Sequence, residues 1–269
     1  MLGEMYTCVY DSKNINAEEF SHQISILYGW EVFSDIEFKL EKIDGSDVFV
    51  VLGGDGFLLQ MVHILKQFAK FPKIYPINYG TIGFLTNNKI QVALLKDVVE
   101  GAVSSFLNFL EVDIVKSNGE RLKEYALNDV SVLRQTGQTA HMKIVVDNVV
   151  RMQELVADGL IISTSAGSTA YNFSVGGPVF SISSNLLSVQ PVSPFRPRSW
   201  RGALLSDKST IEIEMMNIFK RPVSVNVDSK HFEGVERIMV YLSKDFGVEL
   251  LFDARLTLEE KILSEQFSI

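Results

Sequence analysis

The chain has 269 residues, 46% of them apolar and 22% charged, so it is long enough to bury a sizeable core as one large or two small domains. A formal net charge of −8 and a pI near 5.1 argue against electrostatic binding to nucleic acid or to an anionic membrane. With no apolar run near the roughly 18 residues of a membrane span, no recognisable signal peptide, and a single cysteine (Cys8), the sequence predicts a cytoplasmic protein without an internal disulfide.

Strands and helices alternate over the first 106 residues. Val48 to Leu52 form a continuous apolar run, which is typical of a strand covered on both faces. Asn16, with Glu19 three residues later, resembles a capping box and predicts the start of the first helix. The predicted strands lie at 5–10, 48–52 and 73–79. Three helices are predicted: one begins near residue 16, one begins just after residue 56, and one covers residues 90–106. This alternation predicts a parallel sheet with helices packed on it.

Beyond residue 106 the chain consists of short β-prone segments separated by turn signals, as in an all-β domain. Asp147-Asn148 suits the turn of a hairpin. Residues 185–201, which hold three of the seven prolines, are the least regular stretch. The β-prone segments are 110–116, 124–134, 140–150, 160–165, 209–215 and 222–227, followed by two strands at 237–242 and 247–252 and a closing helix at 257–264.

These patterns predict an α/β N-terminal domain with a parallel sheet, followed by an all-β C-terminal domain. The boundary is placed near residue 106, and the last segment is expected to return to the first domain. The first predicted domain therefore comprises residues 1–106 and about 243–269, and the second comprises residues 107–242. Ligands of parallel sheets bind beyond the carboxyl ends of the strands, which is where both glycine loops of the first domain fall.

The first glycine loop, Gly53-Gly54-Asp55-Gly56, lies between the predicted buried strand and a helix. Glycine permits positive φ and a close approach of the backbone to a ligand, and the N–H groups at the start of a helix bind phosphate. Asp55, expected to be exposed at the tip of this loop, would repel phosphates unless a metal ion or a proton transfer requires a carboxylate. A plain tight connection between strand and helix is the alternative. The second loop, Asn78 to Thr86, carries Gly80, Gly83 and Phe84, and its simplest interpretation is a loop anchored by Phe84.

Two polar segments interrupt the apolar pattern of the second domain. Asn128 and Asp129 stand between apolar neighbours in a predicted strand, where a turn is less expected, and a ribose diol would satisfy their hydrogen bonds. Residues 158–178 form a strand followed by hydroxyls, small residues and the Tyr171 ring. This segment is either a Ser/Thr-rich turn that caps a helix or a second cradle for a polar ligand.

Several common functional motifs are absent from the sequence. It has no G-x-x-x-x-G-K-[ST] loop, no G-x-G-x-x-G fingerprint and no G-x-S-x-G elbow, so Ser168 is not expected to be a hydrolase nucleophile. The four scattered histidines contain no pair with the spacing of zinc ligands. Residues 194–201 concentrate three arginines, which would form a phosphate-binding patch, an oligomer interface or simply a solvated loop.

Taken together, the polar segments resemble the NAD kinase family. Its pattern is GGDG, then N-x-G-x-x-G-F-L, then an N-[ED] pair, then D-G followed by S-T-P-x-G-[ST]-T-A-Y. All of these occur here in that order over roughly residues 48–178, and the run Val-Ser-Pro-Phe-Arg-Pro-Arg-Ser-Trp-Arg-Gly resembles the shorter bacterial branch. GGDG alone is not specific, because lipid kinases and phosphofructokinases share it.

The resemblance implies a phosphotransferase that acts on an alcohol group: it transfers the γ-phosphoryl group of ATP, or of polyphosphate, to the adenosine 2′-hydroxyl of NAD, giving NADP. Asp55 would be the general base, and Mg²⁺ would be bound through the ATP phosphates rather than by a protein metal site. A homo-oligomer, dimer or tetramer, is implied because Asp158 can belong to a neighbouring subunit's pocket. The residues implied to bind substrates are Gly53, Gly54, Asp55, Gly56, Phe84, Asn128, Asp129, Asp158, Ala166, Thr169, Ala170, Tyr171, Asn172, Phe173 and Ser174.

The sequence departs from the family pattern at a few positions. Phe57 replaces a common Thr after GGDG, Ser165 replaces the proline of S-T-P-x-G, and Val156 stands where a basic residue is often found. An Asp-Gly-Gln-like turn appears as Asp228-Ser229-Lys230, in which Lys230 is a candidate for the missing positive charge. These changes bear on donor preference and affinity. The remaining alternatives are a lipid or sugar kinase that shares GGDG, and a non-catalytic NAD(P) sensor, which would be expected to lose Asp55.

Overall fold

The computed structural model describes residues 4–38, 46–67, 69 and 71–267. The chain divides into two compact units: unit 1 comprises residues 1–107 and 245–264, and unit 2 comprises residues 108–244 and 265–269. None of the described helices is both long enough and apolar enough to cross a membrane.

The elements up to residue 116 alternate between strands and helices. They are β1 (Tyr6–Tyr10), α1 (Ile15–Tyr28), β2 (Glu31–Ser34), β3 (Val48–Gly53), α2 (Asp55–Leu65), β4 (Lys73–Asn78), a 3₁₀ turn (Val92–Leu94), α3 (Leu95–Glu100) and β5 (Val103–Lys116).

The remaining elements are mostly strands. They are β6 (Arg121–Ala126), β7 (Asp129–Arg134), β8 (Ala140–Val146), β9 (Val149–Ala157), β10 (Gly159–Ser163), a 3₁₀ turn (Ala166–Thr169), α4 (Tyr171–Ser174), a 3₁₀ turn (Ile182–Ser184), β11 (Leu186–Val192), β12 (Ala203–Ser206), β13 (Ile211–Met215), β14 (Val223–Val227), β15 (Lys230–Glu233), β16 (Val235–Phe252) and α5 (Leu258–Gln266).

Unit 1 contains a parallel sheet in the order β2-β1-β3-β4-β16. Every residue of β3 is buried, as the continuous apolar run predicts for a strand covered on both faces. Cys8, Ile24, Val50 and Leu52 lie in its core and are fully buried. The parallel arrangement brings the carboxyl ends of β3 and β4, and with them both glycine loops, to the same edge of the sheet.

Unit 2 is built from antiparallel strands. One sheet has the order β12-β11-β10-β7-β14-β15, while β13 pairs with β8 and with residues 237–240 of β16. Side chains from both sets share one apolar core, in which Val130, Ile162, Ile213 and Val225 are almost fully buried. The predicted fold class is confirmed: an α/β unit with a parallel sheet, an all-β unit, and a C-terminal segment that belongs to the first unit.

Two helix predictions in unit 1 are wrong in detail. The N-cap of α1 is Asn14, whose Oδ1 accepts the N–H of Ala17, and Asn16 lies inside the first turn. The helix predicted over 90–106 ends at Glu100, because Gly101 follows it as the C-cap and β-prone residues from Val103 begin β5.

Three predictions for the chain beyond residue 106 also need correction. The predicted strand 124–134 is broken at Leu127 and Asn128, the strands at 237–242 and 247–252 are one continuous strand, and the stretch 185–201 contains β11 and precedes β12. The hairpin turn is confirmed: Asp147 and Asn148 have φ of 52° and 62°, the left-handed values that a two-residue hairpin requires.

Candidate active site

The first glycine loop connects β3 to α2 directly. Gly53 is the last residue of β3, Gly54 is the N-cap of α2, and Asp55 is the first helical residue. The expected positive φ is wrong, because Gly53, Gly54 and Gly56 are not among the left-handed glycines and Gly54 has φ −86°. Glycine is needed in this loop for close packing rather than for an unusual backbone conformation.

Gly54 and Gly80 bring the two glycine loops into backbone contact. A Cβ built on Gly80 would lie 2.8 Å from the Cα of Gly54, and a Cβ on Gly54 would lie 3.2 Å from the Cα of Gly80. By contrast, a Cβ on Gly56 would have no neighbouring atom within 4 Å. The loops therefore touch through Gly54 and Gly80, while Gly56 borders open space.

This difference predicts different results for two alanine substitutions. Gly80→Ala is expected to lower the free energy of unfolding by about 1–3 kcal/mol, because the methyl group forces two backbones apart. Gly56→Ala is expected to leave stability unchanged or slightly higher, since alanine favours a helix, but to lower kcat/KM for ATP if phosphates occupy the space beside it. Denaturant titration and steady-state kinetics of both variants check this, and full activity of Gly56→Ala would remove Gly56 from the phosphate site.

The side chain of Asp55 joins the two loops. Its Oδ2 accepts the backbone N–H of Phe84 at 2.8 Å, and its Oδ1 accepts the N–H of Leu85 at 3.1 Å and the hydroxyl of Thr86 at 3.3 Å. Asp55 is half-buried, so the expectation that it is exposed at the loop tip is wrong. The carboxylate is held in one orientation by donors from a segment 29 to 31 residues away.

Burial raises the pKa of Asp55 above its ordinary value, against the opposing effect of its hydrogen-bond donors and of Lys261. Lys261 lies on α5, and its ammonium donates to the carbonyls of Gly83, at 2.5 Å, and Thr86. Burial lowers the pKa of Lys261, while the charge of Asp55 raises it. The second glycine loop is thus held to Asp55 through its N–H groups and to Lys261 through its carbonyls.

In unit 2, Asn128 lies in a bend rather than in a continuous strand, because a carboxylate from another strand pair binds its backbone. Asp228 Oδ2 accepts the N–H of Leu127 at 2.7 Å, and Oδ1 accepts those of Asn128 at 3.0 Å and Asp129 at 3.3 Å. Asp228 itself is in the left-handed region, with φ 49°, at the turn between β14 and β15. The late Asp-Ser-Lys turn therefore shapes the Asn128-Asp129 pair.

The Asn128-Asp129 bend packs on the turn that follows β10. Thr164 donates its hydroxyl to the carbonyl of Leu127 at 2.7 Å, and a Cβ on Gly167 would lie 2.5 Å from the carbonyl carbon of Asn128. Asn128 Oδ1 is buried and has no hydrogen-bond partner among the described residues. A buried acceptor without a hydrogen-bond donor lowers the stability of the fold, so a ligand that donates to Asn128 Oδ1 would be favoured.

Asp129 has a pKa raised to about 7, first by burial and second by the charge of Asp228. In the unfolded state the pKa of an aspartate is about 3.9, so the folded state binds the proton of Asp129 more tightly. The stability that this proton contributes is fully present below about pH 3.9 and is lost as the pH rises toward 7. We expect Asp129→Asn to be more stable than the parent at pH 8 and to lose this advantage below about pH 4. Urea unfolding at both pH values checks this, and a pH-independent difference would contradict it.

The other implied binding residues of unit 2 lie on one turn and differ in exposure. Ala166 and Thr169 are buried, Ala170 and Tyr171 are half-buried, and Phe173 and Ser174 are exposed. Asn172 is fully buried, and its amide donates to the carbonyls of Ser168 and Pro178 and accepts the Ser188 hydroxyl. The Asn172 side chain therefore holds the turn together, and its hydrogen bonds are already made within the chain.

Asp158 forms an ion pair with Arg134, with 2.6 Å between Oδ1 and Nε, and both side chains are about 35% exposed.

Two of the positions that depart from the family pattern contact other residues of the chain. Phe57 is buried against Gly53, where a Cβ would lie 2.8 Å from that of Phe57. Lys230 pairs with Glu124 at 2.6 Å, so its charge is already matched within unit 2.

The structure thus groups the predicted residues within each unit. Unit 1 brings Asp55 to Phe84, and unit 2 brings Asn128 and Asp129 to the turn that contains Gly167. The sequence does not indicate that the side chains of Lys261 and Asp228 bind the backbone of these loops. Each acts on a loop that is at least 99 residues away in the sequence, so no local pattern indicates it.

Comparison with known proteins places these loops in a family. Residues 4–103 match the model of the ATP-NAD kinase N-terminal domain, and residues 127–240 match that of the ATP-NAD kinase C-terminal domain. An NAD kinase of Rickettsia typhi is 42% identical over 230 residues, covering 86% of this chain and 89% of the relative. An NAD kinase of Rhizorhabdus wittichii is 37% identical over 253 residues, covering 94% of each.

Solved structures share the fold. Yeast NADH kinase complexed with NADH matches with a TM-score of 0.80 and 21% identity, covering 100% of this chain and 90% of that one. An NAD kinase from Archaeoglobus fulgidus in complex with ATP matches with a TM-score of 0.78 and 24% identity, covering 98% and 100%. With both domain models matched and relatives at 37–42% identity over most of its length, this chain belongs to the ATP-NAD kinase family.

Proposed function

We propose that this chain is an NAD kinase that transfers the γ-phosphoryl group of ATP to the adenosine 2′-hydroxyl of NAD and releases NADP. Family membership supports the reaction class. The observation that carries the proposal is Asp55, a carboxylate fixed between two glycine loops by the N–H groups of Phe84 and Leu85. A lipid kinase would instead need an apolar pocket where the polar Asn128 and Asp129 lie.

Asp55 is the proposed general base. Its Oδ2 accepts one hydrogen bond among the described residues, so a second lone pair is available for the 2′-hydroxyl proton. Burial raises the pKa of Asp55, which makes the carboxylate a more effective proton acceptor. The 2′-oxygen then attacks the γ-phosphorus, the bond to the β-γ bridging oxygen breaks, and ADP leaves.

The phosphates are proposed to lie at the start of α2. The first N–H groups of a helix have no partner inside it, and here the first intrahelical bond is from Leu58 to the carbonyl of Gly54 at 2.9 Å. Since the N–H groups of Gly56 and Phe57 have no acceptor among the described residues, we propose that they bind phosphate oxygens, and the open space beside Gly56 leaves room for them. Such fixed dipoles stabilise the charge that develops on the transferred group.

Mg²⁺ is proposed to arrive as part of the substrate. Within the described ranges, no three His, Cys, Asp or Glu residues are grouped so as to hold a metal ion. The ion would instead be carried on the ATP phosphates, whose charge it neutralises.

The adenosine end of NAD is proposed to bind in unit 2. In unit 1, Phe84 is proposed to lie against an adenine. Asn128 Oδ1 would accept a hydrogen bond from a ribose hydroxyl or an adenine amino group, and this would supply its missing partner. Asp129 and the turn from Ala166 to Ser174 would complete the pocket. As the pKa of Asp129 is about 7, both its protonated and its ionised form are available near neutral pH.

We also propose that the active protein is a homo-oligomer in the cytoplasm. The support is the implied role of Asp158 in a neighbouring subunit's pocket. Its pairing with Arg134 fixes the carboxylate at a surface that remains about 35% exposed. Light scattering coupled to size-exclusion chromatography gives the assembly state directly, and a monomer with full activity would overturn this part of the proposal.

The reaction is tested by incubating the purified chain with ATP, Mg²⁺ and NAD and measuring NADP with an NADP-specific dehydrogenase. NADP formation supports the proposal. Phosphorylation of diacylglycerol or of a hexose without NADP formation would assign the chain to the GGDG lipid or sugar kinases. Binding of NAD or NADP without turnover would instead support a sensor. Replacing ATP by polyphosphate and NAD by NADH in the same assay gives the preferred donor and acceptor.

A further inference from the structure

Unit 1 has a second pocket that none of the proposed catalytic or binding residues lines. Its volume is about 410 Å³, within the range of roughly 300–1,000 Å³ typical of small-molecule sites. Its lining includes the polar residues Tyr75, Lys89, Asp253 and Arg255 and the apolar residue Ile90. All of the lining residues belong to unit 1, so the pocket is a property of that unit alone.

Tyr75 contributes a hydroxyl to the lining of this pocket. The residue is only 1% exposed and lies in the middle of β4, yet its hydroxyl makes no hydrogen bond with any described residue. The charges of Asp253 and Arg255 also act on the pKa of Tyr75, so the hydroxyl lies near this ion pair. Burial raises the pKa of Tyr75, so the hydroxyl is a hydrogen-bond donor that a ligand in the pocket could use.

The charges in the pocket favour an anion. Asp253 is neutralised by Arg255, whose Nε and NH2 donate to the two carboxylate oxygens at 3.0 and 2.6 Å. Lys89 forms no ion pair with a described residue, and its ammonium lies 4.8 Å from the centroid of the Tyr79 ring. The lining of the pocket therefore includes one cation without an ion-pair partner among the described residues, and a phenol that can donate a hydrogen bond.

The position of the pocket in the sheet also suits a ligand site. Asp253 directly follows the carboxyl end of β16, which runs parallel to β4. Ligands of such sheets bind beyond the carboxyl ends of the strands. The amide of Asn87 fixes this corner, because it donates to the carbonyls of Pro76 and Leu251 and accepts the N–H of Asp253. The pocket walls are therefore held in place before any ligand arrives.

We propose that this pocket binds a small organic anion, whose carboxylate or phosphate group lies against Lys89 and accepts a hydrogen bond from the Tyr75 hydroxyl. The apolar part of the ligand packs on Ile90 and Leu256. The proposal does not depend on the reaction at Asp55, because the two sites use different residues.

The test is calorimetric titration of the full chain with benzoate and with phenyl phosphate, using benzyl alcohol as the neutral probe. Benzoate and phenyl phosphate distinguish a carboxylate from a phosphate ligand, and either one is expected to bind more tightly than benzyl alcohol. Tyr75→Phe, which keeps the ring, and Lys89→Met are each expected to weaken binding about tenfold or more, since hydrogen bonds to charged groups are lost. Lys96→Met is the matched control, because Lys96 pairs with Glu100 at 3.8 Å on the surface of α3 and should leave binding unchanged.

The same titration is repeated with saturating ATP and with saturating NAD, where unchanged affinity is expected for a separate site. Displacement of the bound anion by either nucleotide would make the pocket part of the substrate site and overturn the proposal. Equal binding of benzyl alcohol and the anions, or no binding of either anion, would overturn it as well. So would full affinity in both Tyr75→Phe and Lys89→Met.

Discussion

Asp55→Asn is expected to lower kcat for NADP formation by about 10²–10⁴-fold, the usual contribution of a positioned general base. The substitution keeps the shape of the side chain but removes the group that takes the 2′-hydroxyl proton. The coupled assay for NADP measures the loss, and equilibrium titration with NAD tests whether binding is retained.

The structure predicts a second effect of the same substitution. Both carboxylate oxygens of Asp55 accept backbone N–H groups, from Phe84 on Oδ2 and from Leu85 on Oδ1. An asparagine has one acceptor oxygen, so its NH₂ group must face one of these donors. We therefore expect Asp55→Asn to loosen the second glycine loop and to lower the free energy of unfolding by about 1–3 kcal/mol.

Thr86→Val separates the two effects. It removes the hydroxyl that donates to Asp55 Oδ1 at 3.3 Å and leaves the carboxylate and both backbone donors in place. A loss of activity of about tenfold is expected, because a hydrogen bond to a charged group contributes about 1.5 kcal/mol or more. A variant Asp55→Asn that turns over within tenfold of the parent, at unchanged stability, would rule out Asp55 as the base.

The parts of the site that the sequence predicts correctly are those in which adjacent residues carry the signal. A fully apolar run followed at once by Gly53-Gly54-Asp55-Gly56 specifies a buried strand, a close turn and a helix start within nine residues. The same holds for Asp147-Asn148, because a two-residue hairpin turn depends only on the two residues in it.

The parts that the sequence does not predict are set by distant residues. Apolar spacing suits a helix over 90–106, but Gly101 ends it and β5 takes over the residues that follow. Asn128 and Asp129 look like part of a strand, and only Asp228, about a hundred residues later, turns their backbone into a bend. The burial of Asp55 likewise follows from contacts with the second glycine loop, so neither the local pattern nor the loop position indicates it.

Lys261 is the most distant of these residues, and its removal has the second large effect that we expect. Lys261→Met keeps the length and much of the apolar stem but leaves the carbonyls of Gly83 and Thr86 without the ammonium. Since hydrogen bonds to a charged group contribute about 1.5–3 kcal/mol, the free energy of unfolding should fall by about 2 kcal/mol. Thermal or urea unfolding measures this.

The effect on activity should depend on pH. The charge of Lys261 lowers the pKa of Asp55, in opposition to burial, which raises it. Without that charge the pKa of Asp55 rises further, and because the base works only when ionised, the acid limb of the kcat/KM profile should move to higher pH. Activity at pH 6 should therefore fall more than activity at pH 8.

Two variants decide whether Lys261 acts through charge or only through structure. Lys261→Arg restores a cation beside Asp55 and should return the acid limb toward its original position, even if stability recovers only in part. Lys96→Met removes a surface lysine of the same unit and should leave both the limb and the stability unchanged. A lower stability of Lys261→Met with an unmoved acid limb would mean that Lys261 only holds the loop, and the ionisation of Asp55 would then be set by burial and its backbone donors alone.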